Sequence, residues 1–299
     1  MQLTPDERLT SALPILIKQF PPMIRSMIDL TPNNSERKIR LLVFEAISHL
    51  TPKELTVDQI TAAQLPELLA LAMGLNPPAF QPASLTPNTL AEQKAFSYCA
   101  AYLMNRFVSG LNTVGNSPQI IEELTTDAGD IMMAQIQRLR FNYNQHFRIT
   151  DYLADVKARQ GILAAITAKQ SAVFSSTSSE IMALASQIGQ SIGTISAIIH
   201  ECRQLKADKT WFISNITAGQ YPLALLFARE TSPDWFNNFF GHPHRPSLER
   251  FDQAYRLTLA HFNDVNQIVD DIKAQLMLDV KILPSNRVQK ELISLINSI

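Results

Sequence analysis

The stretch from Ile181 to Ile199 reads IMALASQIGQSIGTISAII and is apolar on almost every side of a helix. A helix without a polar face belongs at the centre of a bundle, enclosed by other helices. Gly189 and Gly193 lie four residues apart in it. Each costs about 1 kcal/mol relative to alanine inside a helix, so they imply either a close helix–helix approach or the wall of a cavity.

Helix signals recur through the rest of the chain. Thr4-Pro5-Asp6-Glu7, Thr51-Pro52-Lys53-Glu54 and Thr56-Val57-Asp58-Gln59 read as capping boxes, and Asn34 or Ser35 can cap the run from Glu36 to Leu50. In that run Ile39, Leu42, Val43, Ala46 and Ile47 share one face, and Arg37 and Arg40 share another. Further helical runs are expected at Ala91 to Ser109, Ile120 to Arg140, Asp151 to Gln170, Ser178 to Lys206, Tyr221 to Arg229, Leu248 to Leu276, and from Arg287 onward. Strand alternation bounded by hairpin turns is absent. The proline-rich segment Asn76 to Asn88 reads as a loop, and Asn238 to Pro246, with His242 and His244, as a second break. With 299 residues, 46% of them hydrophobic, and no linker composition, one all-α domain spanning 1–299 is expected.

A formal net charge of −1 supplies no basic stripe for nucleic acid. Cys99 and Cys202 form neither a disulfide framework nor a metal knuckle. Asp6 and Glu7 stand where a signal peptide needs basic residues, and no segment reads as a transmembrane span, so a cytoplasmic location is expected. His200 and Cys202, two apart on a helix, point to different sides and read as core filling rather than a metal pair. Asp270-Asp271 reads as a solvated face.

An ordered series of partial motifs resembles the trans-isoprenyl (polyprenyl) diphosphate synthase family. Glu36-Arg37-Lys38-Ile39-Arg40-Leu41 resembles the family's GKRIRP, and Ala134-Gln135 its glycine-glutamine pair. Tyr152-Leu153 and Arg159-Gln160-Gly161-Ile162-Leu163 resemble the KTxxL region. The run Gly189 to Gln204 resembles GxxxGxxFQxxDDxxD, and Asn215 to Ala228 resembles DxxxGxxTLPLxxAL. The resemblance implies an isoprenoid-synthase-type helical bundle around a central apolar cavity. It also implies that Arg37, Arg40 and Arg159 are candidate diphosphate-binding residues.

The departures fall on the family's metal chemistry. Where the first DDxxD should lie the chain reads Asn76-Pro77-Pro78-Ala79-Phe80, and the second has become His200-Glu201-Cys202-Arg203-Gln204, with His200, Glu201 and Gln204 in place of its aspartates. Magnesium relies on carboxylates plus substrate phosphates, so no catalytic residue and no metal are assigned. The resemblance leaves two readings. The first is a catalytically deficient homologue serving isoprenoid biosynthesis as a subunit or regulator, pairing as a homodimer or with a DDxxD-containing homologue, and able to take an isoprenoid diphosphate. The other is a divergent active prenyltransferase, chain-elongating or peptide-prenylating, which would need magnesium. A helical lipid-binding or interaction bundle is the plainest alternative.

Overall fold

The computed structural model describes residues 3–28, 35–75, 87–176, 178–241 and 246–299. Among them every regular element is helical: α1 (Glu7–Lys18), α2 (Pro22–Arg25), α3 (Ser35–Ser48), α4 (Val57–Ala62), α5 (Leu65–Leu75), α6 (Pro87–Thr113), α7 (Pro118–Phe141) and α8 (Ile149–Val156). A π-helical turn (Lys157–Gly161) then leads into α9 (Ile162–Ser175). After it come α10 (Ser179–Ala207), α11 (Lys209–Thr217), α12 (Leu223–Thr231), α13 (Pro233–Gly241), α14 (Leu248–Leu259), α15 (Phe262–Ile282) and α16 (Asn286–Ser298). The all-α expectation holds. Side-chain caps account for many of the starts: Thr56 and Gln59 form the reciprocal box that opens α4, and Ser117, Ser178, Ser247 and Ser285 open α7, α10, α14 and α16.

Some expectations are corrected. The residue that caps α1 is Asp6, whose carboxylate accepts from the Arg8 amide, rather than Thr4. Thr51 to Glu54 forms no helix. The run from Leu248 to Leu276 is two helices, broken at Ala260 and His261. Asn238 to Gly241 is helical, while His242, Pro243 and His244 lie outside the described residues, as do Asn34 and the segment 76–86.

Helix α10 holds the centre. It packs along α9 and also touches α3, α8, α11, α15 and the π-helical turn. Its glycines serve that contact: a Cβ on Gly193 would stand 2.6 Å from both the Gln160 carbonyl oxygen and the Ala164 Cβ, and one on Gly189 would stand 2.5 Å from the Ala164 carbonyl oxygen. Of the two readings of the pair, close backbone approach is the one realised. The expectation that no segment could span a bilayer also needs correction. Helix α10 is long and apolar enough, with a mean hydropathy of 1.3 over its best window, although half of that window is buried inside the bundle.

Two apolar clusters meet on shared helices. Val43, Ala46 and Ile47 of α3 and Ala168 and Ala172 of α9 belong to one, with α10, α12, α15 and α16. Leu41 and Phe44 of α3 and Leu163 and Ile166 of α9 belong to the other, with α1, α5, α6 and α7. The ends of α3, α5, α7, α8 and α10 that lie between the clusters enclose the cavity described next.

Candidate functional site

A cavity of about 730 Å³ opens between these helices, large enough for a drug-sized or lipid ligand. All six residues singled out in the sequence line it: Arg37 and Arg40 from α3, Arg159 from the π-helical turn, and His200, Glu201 and Gln204 from α10. Residues brought to this cavity thus span most of the chain. Its walls are mixed rather than purely apolar. Leu71, Met73, Val156, Leu163 and Ala197 alternate with Glu36, Glu67, Arg138, Tyr152 and Asn215.

The arginines are held by carboxylates that the sequence reading did not pick out. Arg40, 4% exposed, donates through Nε and Nη2 to Glu67 of α5 at 2.8 and 2.6 Å. Burial works against its charge, but the Glu67 carboxylate outweighs burial and holds the Arg40 pKa above its ordinary value. Arg40 is therefore buried and paired rather than part of a solvated face. Arg37 lies nearer the rim, where its Nη2 donates to the Thr10 carbonyl at 2.9 Å. Burial lowers its pKa.

Asp155 organises a second cluster. Its carboxylate takes Nε and Nη2 of Arg159, four residues on, at 2.9 and 2.5 Å, and lies 3.6 Å from Nη1 of Arg138 on α7. The π-helical turn carries Arg159 and Gln160 to the cavity wall, and wide turns of this kind interrupt α-helices at functional positions. Burial lowers the pKa of Arg138; for Arg159 the Asp155 carboxylate overcomes burial and raises it.

Glu201, the one carboxylate left in the second motif, has a structural task. It accepts the Leu223 amide at 2.8 Å, which satisfies the first N–H of α12, a helix whose own cap, Pro222, offers no side-chain acceptor. The buried Tyr152 hydroxyl beside it favours its charged form. Enclosure by the bundle pushes the Glu201 carboxyl up to about 7, against the lowering effect of the Leu223 amide, Tyr152 and the two arginines. His200 lines the cavity and so corrects the core-filling expectation, whereas Cys202 does not line it. Burial, with Glu201 next to it, pushes the Cys202 thiol up to about 12, too high for a thiolate ligand. Asp270 and Asp271 are exposed, as expected.

No protein-family model matches the chain, and no curated protein matches it in sequence. Solved structures match it along nearly its whole length. The geranylgeranyl pyrophosphate synthase of Lactobacillus brevis superposes with a TM-score of 0.81 at 15% identity, covering 97% of this chain and 95% of that one. The heptaprenyl diphosphate synthase of Staphylococcus aureus gives 0.79 at 15%, covering 98% and 95%. The Arabidopsis medium/long-chain length prenyl pyrophosphate synthase gives 0.73 at 16%, covering 99% and 97%. The chain therefore has the fold of the trans-prenyl diphosphate synthases.

Magnesium, which the resemblance implies, does not fit the residues present. Among the described residues no group of three His, Cys, Asp or Glu side chains could hold a metal. The segment 76–88, part of which lies outside them, contains no acidic residue in its sequence. Asp155 and Glu67 are engaged by guanidinium groups, and Glu201 by an amide, with a phenol beside it.

Proposed function

We propose that this chain is a non-catalytic homologue of the polyprenyl diphosphate synthases that binds an isoprenoid diphosphate without metal and acts as a subunit or regulator in isoprenoid biosynthesis. The observation that carries this reading is the cavity itself. Arg37, Arg40 and Arg159 line it, while the only carboxylate remaining in the second motif, Glu201, is tied to Leu223, with Tyr152 beside it. Prenyl transfer needs charge stabilisation of a departing pyrophosphate, and loss of one such electrostatic contact alone costs on the order of 10²–10³ in rate. Guanidinium groups, in contrast, bind phosphate oxygens in pairs without a metal.

Calorimetry distinguishes the readings. Geranylgeranyl diphosphate is expected to bind in the absence of divalent ions, and added magnesium to change its affinity by less than about threefold. The chain alone, given isopentenyl and allylic diphosphates with magnesium, is expected to form no product. Strong magnesium dependence or product formation would establish the active prenyltransferase instead.

Pairing belongs to the same proposal. On α6, Cys99, Leu103 and Phe107 turn inward while Tyr98 and Val108 face out, and on α7 Met133, Ile136 and Leu139 are each more than half exposed. Exposed aliphatic and aromatic side chains on two neighbouring helices suit an isologous interface. Sedimentation at about micromolar concentration is expected to show a dimer that Ile136→Asp disrupts. A monomer throughout would sink the homodimer, and co-sedimentation with a DDxxD-containing synthase would then identify the heterodimer.

A further inference from the structure

Arg138 was not marked by any sequence pattern, yet it is a cation of the cavity with little compensation. Its side chain is 12% exposed, and among the described residues its one ion pair is the 3.6 Å contact with Asp155, too long for a hydrogen bond. Asp155, 1% exposed, is already engaged edge-on by Nε and Nη2 of Arg159, which leaves the Nη1 corner of Arg159 unused by that carboxylate. Two guanidinium groups thus share one carboxylate, and Asp155 offsets only one of their two charges. The nearby carboxyl of Glu201 is turned to Leu223 and Tyr152, and forms no ion pair with either arginine among the described residues. Arg40 differs, since Glu67 is its own bidentate partner.

We propose that Arg138 and Arg159, presented together by Asp155, form a metal-independent anion subsite that holds one phosphoryl group of the ligand. The inference rests on the diphosphate reading above and moves its main anion contact from Arg37 and Arg40 to Arg138. A buried cation with too few partners carries a desolvation cost that an incoming anion relieves. A phosphoryl group has three acceptor oxygens, enough to bridge two donor forks at once. The Arg138 guanidinium carbon also lies over the Phe147 ring, 5.7 Å from its centroid, a cation–π contact that helps to hold the side chain at the cavity wall. Leu71, Met73 and Leu163, on the walls of the same cavity, give an isoprenoid tail apolar surface beside the subsite.

The test is metal-free calorimetry on the full chain with inorganic pyrophosphate and, separately, with geranylgeranyl diphosphate. Arg138→Ala is expected to weaken both at least about tenfold. Arg140→Ala, an exposed change on the same helix, is expected to leave both unaltered. Arg138→Lys keeps the charge but loses the fork, and is expected to weaken both by about threefold or more, which covers an alanine variant that fails to fold. Wild-type binding that persists unchanged in folded Arg138→Ala and Arg138→Lys overturns this inference and leaves the diphosphate reading standing. A wild-type chain that binds neither ligand overturns both. Binding of geranylgeranyl diphosphate but not pyrophosphate assigns recognition to the tail and likewise overturns the subsite.

Discussion

Glu67→Ala is expected to lower the stability of the fold by about 3–5 kcal/mol, measured by urea unfolding at neutral pH, because it leaves the Arg40 guanidinium buried without its counter-charge. Arg40 and Glu67 lie 27 residues apart in sequence, on α3 and α5, and their side chains are 5% and 3% exposed. Little of either side chain reaches water there. The pair Arg148–Asp151, with side chains 73% and 31% exposed, is the internal comparison. Asp151→Ala is expected to cost less than about 1 kcal/mol for its ion pair, since exposed pairs gain little. A second comparison separates the penalty of an orphaned charge from the worth of the pair. Arg40→Met combined with Glu67→Leu removes both charges and is expected to recover most of the loss, as replacement of a buried pair by apolar side chains is often neutral or better. A Glu67→Ala loss below about 1 kcal/mol would mean that Arg40 reaches water through the cavity.

That pair also shows where sequence reasoning stopped. Arg40 could be placed on a helix face and matched to a basic motif, but Glu67 reads as an ordinary acidic residue in the first turn of α5. Nothing local links positions 40 and 67; only the fold, which sets both α3 and α5 against α9, does. Asp155 and Arg159 were more accessible, because an acidic residue four before an arginine is a helical ion-pair spacing. Arg138 entered that cluster from α7, again through tertiary packing alone.

Local chemistry carried most of the secondary structure. The Thr56 cap located the start of α4, the apolar runs placed the starts of α7 and α10 to within a residue or two, and the all-round apolar run of α10 located the centre. The break between α14 and α15 was invisible for a physical reason. The sequence around Ala260 and His261 has neither Pro nor Gly, and its apolar period continues across the join. What the structure adds is the His261 Nδ1 contact with Asp264 at 2.7 Å in the first turn of α15, a pairing that an uninterrupted helix would also permit at i,i+3. α14 packs on α11 and α12, whereas α15 packs on α10, α12 and α16. The cavity was anticipated as apolar from the resemblance; its charged walls follow from Glu67 and Arg138 converging with motif residues, which no single helix discloses.

Glu201 supplies the last expected result, a pH dependence of stability with a definite sign. Its carboxyl ionises near 7 in the fold, against an ordinary value of 4.5, because enclosure opposes the charged form. The folded state therefore holds this proton more tightly than the unfolded chain does. The stabilisation it gives is complete below about pH 4.5 and is lost as pH rises through about 7, with a difference of 7 − 4.5 = 2.5 pH units, or up to about 3 kcal/mol. Glu201→Gln is neutral at every pH and keeps a carbonyl oxygen for the Leu223 amide at the start of α12. It should match the wild type near about pH 4 and exceed it by as much as about 3 kcal/mol near about pH 8.5, read from urea midpoints across that range. Parallel profiles for the two proteins would show that Glu201 ionises equally in folded and unfolded chains. The same physics bears on catalysis. A carboxyl that is half protonated at neutral pH, and already bonded to an amide with a phenol beside it, is a poor ligand for magnesium. The one acidic residue retained from the second motif thus stabilises α12 where an active synthase would need a metal site.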